Sequence, residues 1–126
     1  MTRAVGCRIW AIAEGYIPPE STGTTPELTS HETACILNAG EEDARVEIMV
    51  YFPDRPPAGP YVFTVAASRT QHLRFNDFKD PEPVPKGTPY SSVITSNVPV
   101  VVQHTRLDTR QPALALLSTI AYPLDR

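Results

Sequence analysis

Apolar and polar residues trade places in short runs along this chain, with a period of two rather than of three to four, and such alternation predicts strands. Residues 45–52 show it most cleanly, with Val46, Ile48, Val50 and Phe52 on one side and Arg45, Glu47, Met49 and Tyr51 on the other. Residues 5–14 predict a first strand, with Val5, Cys7, Ile9, Ala11 and Ala13 on one face and Arg8, Trp10, Ile12 and Glu14 on the other. Residues 31–38 predict a second, which an acidic turn (Ala39, Gly40, Glu41, Glu42, Asp43) joins to residues 45–52 as a hairpin. Two more strands, residues 61–66 and 69–75, lie around Ala67 and Ser68; residues 90–95, 97–107 and 116–122 complete the set, and residues 123–126 read as a frayed tail.

The stretch at residues 97–111, NVPVVVQHTRLDTRQ, departs from the alternation. Val100, Val101 and Val102 give one unbroken apolar run, which predicts a strand covered on both faces. Past it, His104, Arg106 and Asp108 continue the side of Val100 and Val102, while Gln103, Thr105 and Leu107 continue the side of Val101. A histidine, an arginine and an aspartate thus leave a buried sheet together, as in a binding surface more than a reaction centre. Between the strands, residues 16–30 are loop by their prolines, Gly23 and hydroxyl residues, and residues 53–60 (PDRPPAGP) form a rigid turn despite two PxxP spacings. Residues 76–90 hold four prolines and five charged residues without periodicity, the longest irregular segment, of a length that is functional or mobile.

Composition narrows this to one architecture. A chain of 126 residues is one domain, residues 1–126, able to bury about two-thirds of its unfolded surface around one core. Fourteen prolines against six glycines, with no helical spacing, exclude a helical bundle. The expected fold is all-β, a single-domain antiparallel β-sandwich of about seven or eight strands, with a barrel as the alternative closure. The formal charge of -3 gives no general attraction for phosphate backbones or anionic lipid, so nucleic acid would need a local basic patch such as Arg69, Arg74, Arg106 and Arg110. Arg8 and Glu14 interrupt the first apolar run, so it is neither a signal peptide nor a span, and no later stretch reaches the ~20 apolar residues of a transmembrane helix. A cytoplasmic location without membrane insertion is expected. Cys7 and Cys35 sit in apolar strand patterns, as a pair of buried free thiols would.

Candidate chemistry points to binding. Ser30, His31 and Glu32 are the residue types of a triad, but neighbours on a strand face opposite ways and cannot converge. His31, His72 and His104 lie on separate strands without HxH or HExxH spacing, so no metal and no cofactor are expected. Glu14 and Glu32 have no fixed separation and no deep cleft of the kind glycosidases use. Trp10 and Glu14 share a face, a pairing that suits stacking on a sugar ring with hydrogen bonds to its hydroxyls; a tryptophan half-buried in a core or subunit interface is the plainer reading.

WAIAEGYIP at residues 10–18, SHET and CILNAG within 30–40, GPY at 59–61, RFND at 74–77, SNVPVVVQHTRLD at 96–108 and STIAY at 118–122 together span nearly the whole chain, and by their length and order the chain resembles the sensory rhodopsin transducer family. The resemblance implies a small cytoplasmic β-sandwich, assembled as a homotetramer and without catalytic activity, that acts as the transducer of a membrane-embedded retinal photoreceptor. More broadly it implies a binding domain for sugar-like small molecules. Carried over through those motifs, the candidate ligand residues are Trp10, Glu14, His31, Glu32, Arg74, Asn76, His104, Arg106 and Asp108: Trp10 to stack, Glu14, Asn76 and Asp108 to bind hydroxyls, Arg74 and Arg106 to hold an anion or a carboxylate. An adaptor docking on a receptor's cytoplasmic face is the leading expectation. An intracellular carbohydrate or metabolite sensor without a rhodopsin partner is the second, and a nucleic-acid-binding regulator the third.

Overall fold

The computed structural model describes residues 4–125. Eight strands follow one another: β1 (Cys7–Gly15), β2 (His31–Asn38), β3 (Ala44–Tyr51), β4 (Ala58–Val65), β5 (Arg69–Arg74), β6 (Tyr90–Asp108), β7 (Ala115–Ile120) and β8 (Tyr122–Asp125). A single 3-10 turn, Phe75–Asp77, follows β5. All pairings are antiparallel, in two sheets: β4-β3-β6-β1-β8 and β5-β2-β6-β7. The expected all-β sandwich of about eight strands is what forms.

Both sheets contain β6, whose 19 residues would reach about 60 Å if fully extended, several times an ordinary strand. Its first part pairs with β3 (Val46↔Ser96 to Tyr51↔Ser91) and with β1 (Ile9↔Thr95 to Gly15↔Tyr90). Its second part pairs with β2 (His31↔Leu107 to Leu37↔Val101) and β7 (Gln103↔Ile120 to Asp108↔Ala115). The two strands expected at residues 90–95 and 97–107 are therefore one. Asn97 and Pro99 bend it without stopping it: on β1 the register advances from Ile9↔Thr95 to Cys7↔Val100, so extra residues of β6 are taken up in an irregularity there. The same irregularity turns both Cys7 and Trp10 inward, three positions apart, and makes Trp10 and Ile12 the core face of β1. Gly6 closes it at φ 103°, where an added Cβ would stand 2.0 Å from the Val100 carbonyl oxygen.

The expected hairpin between the second and third strands does not exist. β2 pairs with β5 and β6, whereas β3 pairs with β4 and β6, so the acidic turn carries the chain from one sheet to the other. Asn38, wholly buried, organises that crossing: its Nδ2 donates to the carbonyls of Glu42 (2.8 Å) and Val65 (3.0 Å), and its Oδ1 accepts from Gly40 N (3.0 Å). Along β3 alternation reported which side faces the core; it held no information on which strand lies alongside.

At the C-terminus one expected strand is two. Ala121, 4% exposed, donates its N–H to the Val102 carbonyl (3.0 Å) and marks the step from β7, on the second sheet, to β8, on the first. Pro123 and Asp125, expected to fray, pair with β1, as Trp10↔Pro123 and Ile9↔Asp125. The core between the sheets is built from inward positions including Trp10, Ile12, Ile36, Val46, Ile48, Val50, Leu73, Ile94, Val100 and Val102. The long loop before β6 is anchored on it: Phe78 packs against Tyr61, Phe63 and Phe75 at centroid distances of 4.9, 5.1 and 4.8 Å, and Tyr61 donates to the Glu82 carbonyl at 2.6 Å. Both cysteines are free; Cys7 is buried, while Cys35 is only partly so.

Candidate functional site

β2 and β6 run side by side with Glu32 opposite Arg106 and Ala34 opposite His104, so the parity of the two strands turns all three polar side chains to the inner side of the second sheet. Glu32 is wholly buried, and four donors converge on it. Its Oε1 accepts from the Tyr16 backbone N–H (2.6 Å) and the Tyr90 hydroxyl (2.9 Å). Its Oε2 accepts from His104 Nε2 (2.8 Å) and Arg106 Nε (2.9 Å). The Glu32 backbone N–H donates to Asn76 Oδ1 (3.2 Å), and Asn76 Nδ2 donates to the Ser30 carbonyl (3.0 Å).

A carboxylate has about four lone-pair directions, and here each is used. Burial pushes the Glu32 carboxyl upward, but the hydrogen bonds from His104, Tyr16 and Arg106 together outweigh it and hold the group below the usual carboxylate range. Burial and the adjacent Glu32 charge raise the Tyr90 phenol, which stays a neutral donor. The arrangement is an ion cluster that joins loop 16–30, β2 and both ends of β6. It leaves Glu32 no free lone pair with which to act as a base.

The nine residues expected to bind ligand fall in three places. Glu32, His104, Arg106 and Asn76 form the buried cluster, and Glu14 stands at its solvent edge: Arg106 Nη2 donates to the Glu14 carbonyl (3.3 Å) and lies 4.0 Å from its 86% exposed carboxylate. Asp108 turns instead to Arg110, which grips both its carboxylate oxygens (Nε–Oδ1 3.0 Å, Nη2–Oδ2 2.6 Å) and holds it below the usual carboxylate range. The Tyr16 ring lies between the two guanidinium groups, 5.9 Å from Arg106 and 5.7 Å from Arg110. His31 and Arg74 lie on the outer face of the second sheet with His72, away from the cluster.

Trp10 belongs to none of these. It is 4% exposed, and its indole N–H is shared between the carbonyls of Cys7 and Val100, each at 3.0 Å. The open stacking face expected beside Glu14 is absent, because the register shift at Cys7 turns the ring into the core. Tyr16 and Tyr90 were not legible as partners of Glu32. The one signal was Tyr90 opening an otherwise buried strand, where a phenol needs a mate. Ser30 and Thr109 were missed as a pair as well: their buried hydroxyls lie 3.0 Å apart and fasten loop 16–30 to the end of β6. Among the described residues no cluster of three or more His, Cys, Asp or Glu is arranged to hold a metal ion. No described helix is long and apolar enough to cross a membrane.

A family profile described as "Anabaena sensory rhodopsin transducer" matches residues 5–123. A solved structure titled "Anabaena sensory rhodopsin transducer" is 60% identical, covering 82% of this chain and 100% of that one, with a TM-score of 0.75. A second, "Crystal Structure of Thermotoga maritima 1070", is 38% identical over 95% of this chain and 97% of its own, with a TM-score of 0.83. Among curated protein sequences, none matches.

Proposed function

Because the chain belongs to the Anabaena sensory rhodopsin transducer family, we propose that it is a non-enzymatic signalling adaptor, soluble and cytoplasmic, which assembles as a homotetramer and docks on the cytoplasmic face of a retinal photoreceptor. The observation that carries this reading is the uncovered apolar edge at the end of the chain. Leu116 (69% exposed) and Ile120 (58%) stand on one face of β7 and Leu117 (44%) on the other; Tyr122 (68%) and Leu124 (56%) extend the exposure into β8. β7 and β8 end their respective sheets, so backbone donors and acceptors accompany the exposed side chains. An apolar edge strand of this kind is a template for association, and copies of the same chain are the nearest source of a complementary edge.

Light scattering on the purified chain tests the reading. The wild type is expected to weigh four chains, and a Leu116→Ser, Ile120→Ser variant, altered only at exposed positions, to fall to smaller species with its circular dichroism unchanged. A monomeric wild type would sink the tetramer. Titration of the assembled chain into the detergent-solubilised photoreceptor then reads the partner, and absence of binding in the dark and in the light removes it.

A second reading is a metabolite sensor without a rhodopsin partner. It is favoured by the partly open polar groups around Glu14 and Arg106 and by the outer face carrying His31 and Arg74. A thermal-shift screen against sugars, sugar acids and nucleotides tests it, since a ligand that binds only the folded state raises its stability by mass action. The net charge of -3 and the pairing of Arg106 and Arg110 with carboxylates speak against a nucleic-acid surface.

A further inference from the structure

On the outer face of the second sheet, away from the Glu32 cluster, β2 and β5 pair with Thr33 opposite Arg74 and Cys35 opposite His72. Side chains on that face stand two residues apart along each strand, which sets His31 and Thr33 beside His72 and Arg74. With Asp77 from the 3-10 turn they line a concavity of about 260 Å³. Its walls are mostly polar, and its two strands belong to the sheet, not to loops.

The charges here are unspent. Arg74, like Arg8 and Arg69, takes part in none of the ion pairs among the described residues. His31 Nδ1 lies 2.7 Å from the Thr29 carbonyl, an acceptor, so Nδ1 carries a hydrogen and the ring is fixed with Nε2 as its free nitrogen. Thr33, 6% exposed, adds a hydroxyl at the floor. The Arg74 guanidinium and the Thr33 hydroxyl bring donors for an oxygen anion to this hollow, and the His31 and His72 rings bring nitrogens that donate to it when the imidazole is protonated. Asp77 adds a carboxylate to the lining, and it selects among anions: it repels a bare anion but accepts a hydrogen bond from one that also carries a hydroxyl. The size agrees, since drug-sized ligands occupy about 300 Å³ or more and this hollow holds only the charged end of a molecule. A metal is disfavoured by the positive charge of Arg74 in the lining.

We propose that His31, Thr33, His72, Arg74 and Asp77 form a binding site for a small hydroxyl-bearing oxyanion, a phosphoryl group or the carboxylate end of a hydroxy acid. This deepens the metabolite-sensing reading and rests on it, placing the recognition on the outer face of the sheet.

The test is a titration of the isotope-labelled full chain, followed by NMR, with inorganic phosphate and separately with gluconate. The expected result is saturable movement of the His31, Thr33, His72 and Arg74 resonances, with affinity about tenfold or more lower in Arg74→Gln, which gives up a charge-assisted hydrogen bond at a part-exposed position. Saturation by phosphate alone assigns a phosphoryl ligand, and saturation by gluconate alone a hydroxy acid. Linear, non-saturating shifts with both, or an undiminished response in Arg74→Gln, overturn the site. A sugar acid that raises the melting temperature without moving these resonances overturns it too, while leaving metabolite sensing in place.

Discussion

Glu32 is the residue on which the buried polar chemistry turns, and its role follows from counting donors. Glu32→Gln removes the charge and replaces one carboxylate oxygen by an NH2 group that faces donors, so two of the four converging donors lose their acceptor, and the variant is expected to cost about 3–5 kcal/mol, read by urea denaturation. The sign of the pH dependence follows from the same contacts. The folded carboxyl holds its proton less tightly than the unfolded one, whose usual value is 4.5, so its contribution is fully present above that pH and is lost as acid carries the pH down through the lower folded value. The melting temperature of the wild type should fall through this acid window, and Glu32→Gln should flatten that part of the profile; an equally steep fall in the variant would locate the acid sensitivity elsewhere. Trp10 is the parallel apolar case. Trp10→Ala empties a core position and is expected to cost about 3–5 kcal/mol by the same assay, a loss that a ring on an open surface would not produce. The sequence marked both residues as notable by type. For Trp10, whether it faced a ligand or the interior depended on a register shift that no side-chain pattern encodes; Glu32 is turned inward by plain strand parity, and what the sequence did not show was the set of donors that other elements bring to it.

Among the elements, β6 decides the architecture. Its apolar centre was legible, as was the placement of His104 and Arg106 on the side of Val100 and Val102, because both follow from alternation within one strand; that this side is closed over by Glu32 and not open as a binding surface was not. Its continuity through Asn97 and Pro99 was not, since those residues equally end a strand, and only the partners on either side keep the ladder going. The false hairpin of β2 with β3 has the same origin: a short turn between two strands is the usual mark of a hairpin, and here Asn38 spends its side chain on carrying the chain across the sandwich instead. Gly6 tests the geometry of the bend. Gly6→Ala brings a methyl to 2.0 Å from the Val100 carbonyl and strains a backbone at φ 103°, so it should destabilise the fold by more than the ~1 kcal/mol usual for a tolerated glycine exchange and should loosen hydrogen-exchange protection first along β1 and its partner residues in β6.

For the whole molecule, the class and strand count could be read from periodicity and proline content because they are sums over many positions. The exposed C-terminal edge could not. Leu116, Leu117 and Ile120 look in the sequence like any inward strand residues, and only the finished sandwich shows that the core ends before it reaches them. The shared strand also bears on how the protein is made. β6 binds β1, β2, β3 and β7, and three of those four precede it along the chain. While the polypeptide leaves the ribosome, only the β3–β4 and β2–β5 ladders have both partners in hand, so neither sheet is complete until the stretch Tyr90–Asp108 emerges. The nascent chain therefore carries open strand edges through most of its synthesis and closes both sheets in a late step, which is where a chaperone would have its longest hold on it.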